Sequence, residues 1–165
     1  GVKNSAIIAS SVMLYLVDKK LGKPLHGSPD RKPTKKDISE FVSQRRDDLE
    51  EISTEIIKKD GNYSVGRILN GSGAFYGTMK IIDKYSKDIA FSFLSQLRSG
   101  IYDYEQGPVE CLRNKLISSK MIKSTNLTRE YEIALFIKAF NSWIKGEKSK
   151  LLKLNKDEST WWYIE

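Results

Sequence analysis

The strongest constraint on the fold is the spacing of apolar residues, which return every three or four positions along most of the 165-residue chain. This spacing gathers apolar side chains on one face of a helix, whereas a half-buried strand would show them at every second position. Only residues 147–154 alternate, loosely, as a short edge strand or an extended tail would. The pattern predicts an all-α fold: a single compact bundle of five to six helices with a short extended C-terminal tail.

The first predicted helix covers residues 4–21 and ends at Gly22, a residue type that commonly terminates helices. Its apolar side chains point in every direction around the helix axis, as in a helix surrounded by others. We therefore expect the bundle to be arranged around this helix. Its apolar run of 12 residues, 6–17, is shorter than the roughly 20 residues that span a bilayer, so no membrane partner is predicted.

A second predicted helix begins after Thr34, its N-cap, and runs to about Lys59, with Asp37 giving a weak capping-box pattern. Arg45 projects into the middle of its apolar stripe. There its stem can pack while the guanidinium reaches a carboxylate or a helix end, and a ligand-facing role is the alternative. The stripe is close to a heptad seam and consists of Ile38, Phe41, Val42, Leu49, Ile52 and Ile56.

The glycine-rich segment at residues 61–78 separates this helix from the next. Gly71-Ser72-Gly73 follows no predicted strand and precedes no Gly-Lys-Ser/Thr sequence, so a phosphate-binding loop is disfavoured. A helix connection, or close helix packing through small residues, is favoured instead. After this segment, one helix is predicted to continue to about Tyr85, and a shorter one to cover residues 87–98, between Ser86 and Gly100. Two more are predicted, from Pro108 to about Ser119 and from near Thr128 to just before Gly146.

The net charge of +7 is confined to residues 108–156. This stretch holds 11 Lys/Arg against 4 Asp/Glu, and the rest of the chain carries 17 of each sign. A clustered positive field attracts polyanions more strongly than a diffuse one. The cluster predicts a nucleic-acid partner, with DNA favoured over RNA.

Arg113 lies in this basic stretch, at the edge of the apolar stripe of its own helix. That position favours a structural role, by pairing or by capping a neighbouring helix, over a phosphate contact. The motif around it and the core face of the last helix are predicted to be structural: Pro108, Leu112, Arg113, Asn114, Leu116, Phe140 and Trp143.

The last predicted helix carries a polar ridge almost opposite its core face, formed by Ala134, Lys138, Asn141 and Lys145. Asparagine is a poor helix-interior residue because its amide competes for backbone partners. An exposed Asn between two lysines, beside a small Ala that permits close approach, suits contact with a nucleic-acid groove. A solvated lysine face is the alternative. The predicted nucleic-acid-binding residues are Lys115, Lys120, Lys123, Lys138, Asn141, Lys145, Lys148 and Lys150.

Composition disfavours several kinds of site. The single cysteine, Cys111, excludes an internal disulfide and a multi-cysteine zinc site, and it fits a reducing, cytoplasmic compartment. The single histidine, His26, lies in the Pro/Gly-rich loop at residues 22–33. We therefore predict no catalytic residue, no metal and no cofactor.

Two alternatives to a non-catalytic nucleic-acid-binding module remain open. The first is a protein-interaction or oligomerisation module, indicated by the heptad-like seam and by the aromatic residues 161–163. The second is a nuclease-type enzyme built on Asp103 and Glu105 or on Glu130 and Glu132. Neither acidic pair has metal-ligand spacing with His or Cys, and Glu130 and Glu132 point to different helix faces.

Four short motifs occur in a characteristic order: a helix ending Leu-x-Ser-Gly, a Gly-Pro turn, Pro-x-x-x-Leu-Arg-Asn-x-Leu, and a helix containing Lys-Ala-Phe-Asn. This order is similar to the C-terminal helical region of phage- and plasmid-type proteins that carry an N-terminal ParB/sulfiredoxin-like domain. The opening Gly-Val-Lys-Asn-Ser also resembles the segment directly after that domain in such proteins. The matching positions are Leu97, Ser99, Gly100, Gly107, Pro108, Leu112, Arg113, Asn114, Leu116, Lys138, Ala139, Phe140 and Asn141.

The resemblance implies an accessory helical module in a mobile-element DNA context, with a nucleotide-handling or nuclease-like domain upstream. It carries no catalytic residue onto this sequence. From the length of 165 residues we expect a single helical domain. Because the chain opens on Gly1 without an initiator Met, we also expect it to be a fragment of a longer protein.

Overall fold

The computed structural model describes residues 8, 11–13, 15–16, 33–57, 69, 72–121, 129–148 and 164–165. Of these described residues 80% are helical and none lies in a strand, which confirms the all-α prediction. Residues 8, 11–13 and 15–16 belong to an N-terminal helix. The helices after it are α1 (Lys35–Gln44), α2 (Arg46–Ile57), α3 (Ser72–Lys84), α4 (Lys87–Ser99), α5 (Pro108–Met121) and α6 (Arg129–Ile144).

With the N-terminal helix included, seven helices pack together in the described part of the chain, where the sequence predicted five to six. The difference arises at Arg45, which splits the second predicted helix into α1 and α2. Arg45 has φ −117° and ψ 28°. Its N–H still donates to the Phe41 carbonyl and its carbonyl still accepts from the Leu49 N–H, each at 3.0 Å. The helical hydrogen bonds therefore continue on both sides of Arg45, while its own backbone dihedral angles depart from helical values.

Several helix ends lie where capping residues predicted them. At Thr34 the capping box is complete: its Oγ1 accepts from the Asp37 N–H at 3.1 Å and its N–H donates to Asp37 Oδ2 at 2.9 Å. Ser86 Oγ accepts from the Ile89 N–H at 3.2 Å and begins α4. Gly100 ends α4 at φ 72°, a left-handed conformation that favours glycine.

The core of the described residues is built around α6, which packs against both α3 and α5. In its central turns almost every side chain is buried, and only Lys138 interrupts the buried run from Ile133 to Phe140. The expected arrangement around the N-terminal helix stays a prediction, because residues 9–10, 14 and 17–32 lie outside the described ranges. Four described residues of that helix are buried: Ile8, Ser11, Val12 and Tyr15.

Helices α3 and α6 approach closely because α3 presents glycines to α6. A Cβ added at Gly77 would lie 2.5 Å from the Phe136 ring, and one added at Gly73 would lie 2.9 Å from Ile133 Cγ1. Both distances are shorter than van der Waals contact, so a larger residue would force the two helices apart. The close-packing interpretation of the glycine-rich segment is confirmed at these two positions.

Aromatic rings also join α4 to α6. The Phe93 ring centroid lies 5.3 Å from that of Phe136, 5.4 Å from that of Phe140 and 5.4 Å from that of Trp143. The first two contacts are edge-to-face, a preferred geometry for aromatic pairs. This cluster holds α6 in place and so fixes which of its residues reach the surface.

None of the helices described is both long enough and apolar enough to cross a membrane. The predicted extended tail lies almost wholly outside the described residues, which after residue 148 resume only at 164.

Candidate nucleic-acid interface

The predicted nucleic-acid-binding residues divide into those that the structure describes and those that it does not. Lys115 lies half-buried on α5, and Lys138 and Asn141 lie half-buried on α6. Lys145 and Lys148 come after the end of α6 and are exposed. Lys123 and Lys150 lie outside the described residues, and so does the side chain of Lys120.

The polar ridge of the last helix is shorter than the sequence predicted. Ala134 is 0% exposed, which contradicts its expected place on a solvent face. The reason is that α6 packs against both α3 and α5, so more than one of its faces is covered; Ala134 lies on a covered face, whereas Tyr131 and Glu132 stay partly exposed. What remains is the α6 ridge: Lys138, Asn141 and Lys145.

The last two residues of the sequence, Ile164 and Glu165 (the terminal pair), contact this ridge. The Glu165 N–H donates to Asn141 Oδ1 at 3.0 Å. The Glu165 carboxylate accepts a hydrogen bond from the Lys145 ammonium and forms an ion pair with it. Two of the three α6-ridge residues therefore hold an acidic residue of the chain itself.

A further lysine, from a different helix, contacts the terminal pair. Lys84, in the last turn of α3, donates from Nζ to the Ile164 carbonyl at 2.7 Å. The sequence did not predict Lys84 as part of the site, because residue 84 lies 80 positions from residue 164 and no motif links them. A lysine in the last turn of a helix is common for a different reason, because the negative end of the helix dipole stabilises its positive charge.

The electrostatics of Lys145 depend on this contact with the terminal pair. The hydrogen bond to Glu165 raises the pKa of the Lys145 ammonium, and the charges of Glu165 and Glu147 act in the same direction. Lys145 therefore stays protonated across the physiological range and offers a permanent positive charge beside the Asn141 amide. This pair of groups can bind an anion and orient it.

Arg113 has the structural role that the sequence favoured. Its Nε donates to the Leu97 carbonyl at 3.0 Å, near the end of α4. The guanidinium lies against Gly100, where an added Cβ would be 3.2 Å from Arg113 Cζ. Of the other predicted structural residues, Pro108, Leu112, Leu116 and Phe140 are buried and Trp143 is half-buried, whereas Asn114 is exposed.

Arg45 likewise turns its guanidinium to carboxylates, as the structural interpretation predicted. Its Nη1 lies 3.2 Å from Asp83 Oδ1 and its Nη2 lies 3.3 Å from Asp48 Oδ2. The guanidinium carbon is 5.6 Å from the centre of the Phe41 ring. The hydroxyl of Tyr15 donates to Asp83 as well. These contacts join the N-terminal helix, α2 and α3 at the break between α1 and α2.

The acidic pairs considered for a nuclease are not brought together as a metal site in the described residues. Asp103 Oδ2 accepts from Gln96 Nε2 at 3.1 Å, and the Asp103 N–H donates to Gln96 Oε1 at 3.2 Å. Glu105 is exposed, and the Glu130 side chain lies outside the described residues. Over the described ranges, no group of three or more His, Cys, Asp or Glu residues could hold a metal ion.

The heptad-like seam packs inside the chain. Leu49, Ile52 and Ile56 are buried in the core, and the remaining seam residues of α1 pack against it. The α2 half of the seam is therefore covered within the chain, whereas Ile38, Phe41 and Val42 on α1 are only partly buried. The aromatic residues 161–163 lie outside the described residues.

The chain matches no protein-family model, no curated protein and no solved structure. The resemblance to the C-terminal region of ParB/sulfiredoxin-like domain proteins therefore remains a prediction from the sequence motifs.

Proposed function

We propose that this chain is a non-catalytic nucleic-acid-binding module, with DNA as the favoured partner, and that the α6 ridge contacts the phosphates. The observation that carries the proposal is that Lys145 and Asn141 together hold Glu165 on the outer side of α6. A surface that binds one anionic group of the chain has the chemistry to bind others.

The groups on this surface match those that position proteins on nucleic acid. An ammonium group donates charge-assisted hydrogen bonds to phosphate oxygens as it does to a carboxylate. The Asn141 amide has donors as well as the acceptor that Glu165 uses, and amides contact both phosphates and base edges. Lys138 and Asn141 are on α6, Lys145 and Lys148 come just after it, and Lys115 is on α5, which packs against α6.

The proposal extends to the setting that the sequence predicted. The motif order supports a module of a phage- or plasmid-type protein with a ParB/sulfiredoxin-like domain upstream, and the lone Cys111 supports a cytoplasmic location. We also propose that the apolar first helix lies at the centre of the bundle.

Fluorescence anisotropy with labelled duplex DNA, single-stranded DNA and single-stranded RNA tests the function. We expect binding at about 50 mM salt, and a log–log dependence of affinity on salt with a slope of about −0.9 per phosphate contacted. The double substitution Lys138→Ala/Lys145→Ala should weaken binding to every sequence and make the slope less steep by about two.

A matched control is the double substitution Lys35→Ala/Lys36→Ala, which removes the same charge from exposed lysines of α1. It should change affinity much less. Absence of binding to all three nucleic acids at about 50 mM salt, or affinity that does not depend on salt, would contradict the proposed function.

A further inference from the structure

We infer that the terminal pair, Ile164 and Glu165, is an autoinhibitory contact that competes with nucleic acid for the α6 ridge. This inference rests on the proposed function and names how that same site is regulated.

Three polar side chains from two regions of the bundle converge on the terminal pair. Lys84 binds the Ile164 carbonyl at 2.7 Å, Asn141 accepts from the Glu165 N–H at 3.0 Å, and Lys145 binds the Glu165 carboxylate. The contact therefore fixes the backbone of the pair as well as its charge. An incidental surface ion pair would engage the charge alone.

Burial of Ile164 adds an apolar anchor to these polar contacts. The Ile164 side chain is 8% exposed and belongs to the hydrophobic core cluster. Burying a side chain of this size stabilises a contact more than an exposed ion pair does. The anchor places Glu165 beside Lys145, although roughly half of each charged side chain still faces solvent.

The terminal pair and a phosphate group need the same donors. A phosphate bound by Lys145 would occupy the position of the Glu165 carboxylate, and two anions at one ammonium repel each other. Exposed ion pairs are weak and are screened by salt, so the Glu165 contact can open. Nucleic acid then binds only the open fraction, and its apparent affinity falls in proportion to that fraction.

Two variants test the inference in the full chain. Glu165→Gln removes the carboxylate that competes with phosphate, and Ile164→Ala weakens the anchor without any change of charge. Both should bind labelled duplex DNA about three- to ten-fold more tightly than the unmodified chain. A gain with Ile164→Ala is the more specific result, because net charge cannot explain it.

The control is Glu147→Gln, which removes one negative charge close to Lys145. The described hydrogen bonds of Glu147 use its backbone: its carbonyl accepts from the Tyr104 hydroxyl at 2.9 Å and its N–H donates to the Ser142 carbonyl at 3.0 Å. We expect the affinity of this control for duplex DNA to rise by less than about two-fold. Thermal unfolding of each variant shows whether the bundle remains folded at the temperature of the binding measurement.

A direct readout comes from the backbone amide signal of Glu165 in ¹⁵N-resolved spectra. Addition of duplex DNA to the unmodified chain should move this signal towards the position typical of an unstructured residue. If the signal stays in place at saturating DNA, the terminal pair does not leave the ridge and the inference is overturned.

The outcomes separate the inference from the function on which it rests. If all variants bind DNA with equal affinity while Lys145→Ala weakens binding, the function stands and autoinhibition is overturned. Equal gains with Glu165→Gln and Glu147→Gln, without a gain for Ile164→Ala, would reduce the effect to net charge and overturn the inference too. If no variant binds nucleic acid, both proposals fall.

Discussion

Arg113 on α5 donates from Nε to the carbonyl of Leu97 on α4 at 3.0 Å, so one helix satisfies a carbonyl near the end of another. The last carbonyls of a helix have no partner within the helix, and a charged donor compensates for this loss. The most motif-like charge of the basic stretch is therefore part of the architecture. The nucleic-acid contacts that we propose centre instead on the α6 ridge.

Replacing Arg113 with methionine should lower stability without a direct effect on nucleic-acid binding. The substitution keeps most of the apolar stem but leaves the Leu97 carbonyl without its donor, which costs about 1.5–3 kcal/mol for a charged hydrogen bond. Chemical denaturation of the two proteins measures this difference. Lys115→Met, on the same helix, is the control for loss of a charge and should change stability by less than about 0.5 kcal/mol. A folded Arg113→Met protein that had lost nucleic-acid affinity would contradict the structural role.

Helix ends were predictable from the sequence because a cap depends on residues a few positions apart. The Thr34 hydroxyl and the Asp37 carboxylate satisfy each other's backbone N–H groups across three positions. Gly100 ends α4 through its own backbone conformation. Nothing beyond the local sequence is needed to place such residues.

The break at Arg45 and the burial of Ala134 could not be predicted in this way. The helix breaks at Arg45, and the Arg45 guanidinium contacts Asp83, which lies 38 positions later in the sequence. Helical periodicity places Ala134 on the polar ridge, but α6 packs against two helices and Ala134 is fully buried. Periodicity gives the faces of a helix and does not show how many neighbours cover them.

The contact between the ridge and the terminal pair was hidden for the same reason. Asn141 and Glu165 lie 24 positions apart, and no periodic pattern links them. Lysines on a helix surface are commonly solvated, so the sequence allowed two interpretations of the ridge: a nucleic-acid contact or a solvated lysine face. The nearby carboxylate is a tertiary feature that only the packed chain reveals.

Gly77→Ala should destabilise the chain although alanine favours helices. The helix-propensity gain is about 1 kcal/mol. An added Cβ would lie 2.5 Å from two carbons of the Phe136 ring, which is fully enclosed in the core and cannot move aside. Overpacking of this kind costs about 1–3 kcal/mol, so the net loss of stability should reach about 2 kcal/mol, which chemical denaturation measures.

The double substitution Gly77→Ala/Phe136→Leu tests the cause of that loss. The smaller leucine leaves room for the Cβ, so the double variant should be more stable than the sum of the two single effects predicts. Additive effects would show that the Gly77 contact does not limit the approach of α3 to α6.

Tyr15 should make the chain less stable at high pH. Burial, with the hydrogen bond to Asp83 as a further cause, raises the pKa of Tyr15 from 10.0 to about 12. The folded state thus favours the protonated phenol, and its contribution is fully present below pH 10 and lost as the pH rises towards 12. The loss should be at most about 2 kcal/mol, because the part-buried hydroxyl is still screened by water. Urea denaturation across this range should show a steeper decline for the unmodified chain than for Tyr15→Phe, and parallel declines would contradict the coupling.

The ion pair between Arg98 and Glu55 should contribute far more to stability than that between Arg46 and Glu50. Arg98 Nη1 lies 2.6 Å from the Glu55 carbonyl and 3.2 Å from its Oε2, and the two side chains are only 8% and 16% exposed. Removing Arg98 leaves a poorly solvated Glu55 carboxylate and takes a charged donor from the Glu55 carbonyl, so Arg98→Met should cost about 3 kcal/mol or more.

Arg46→Met is the matched control. The Arg46–Glu50 pair has a similar distance, 3.1 Å, but the Arg46 side chain is 72% exposed. Its loss should change stability by less than about 1 kcal/mol, because water and salt screen an exposed pair. Chemical denaturation at low and high salt separates the two cases: the Arg98 effect should persist at high salt, while any Arg46 effect should shrink. Equal losses for both variants would show that burial does not set the strength of these pairs.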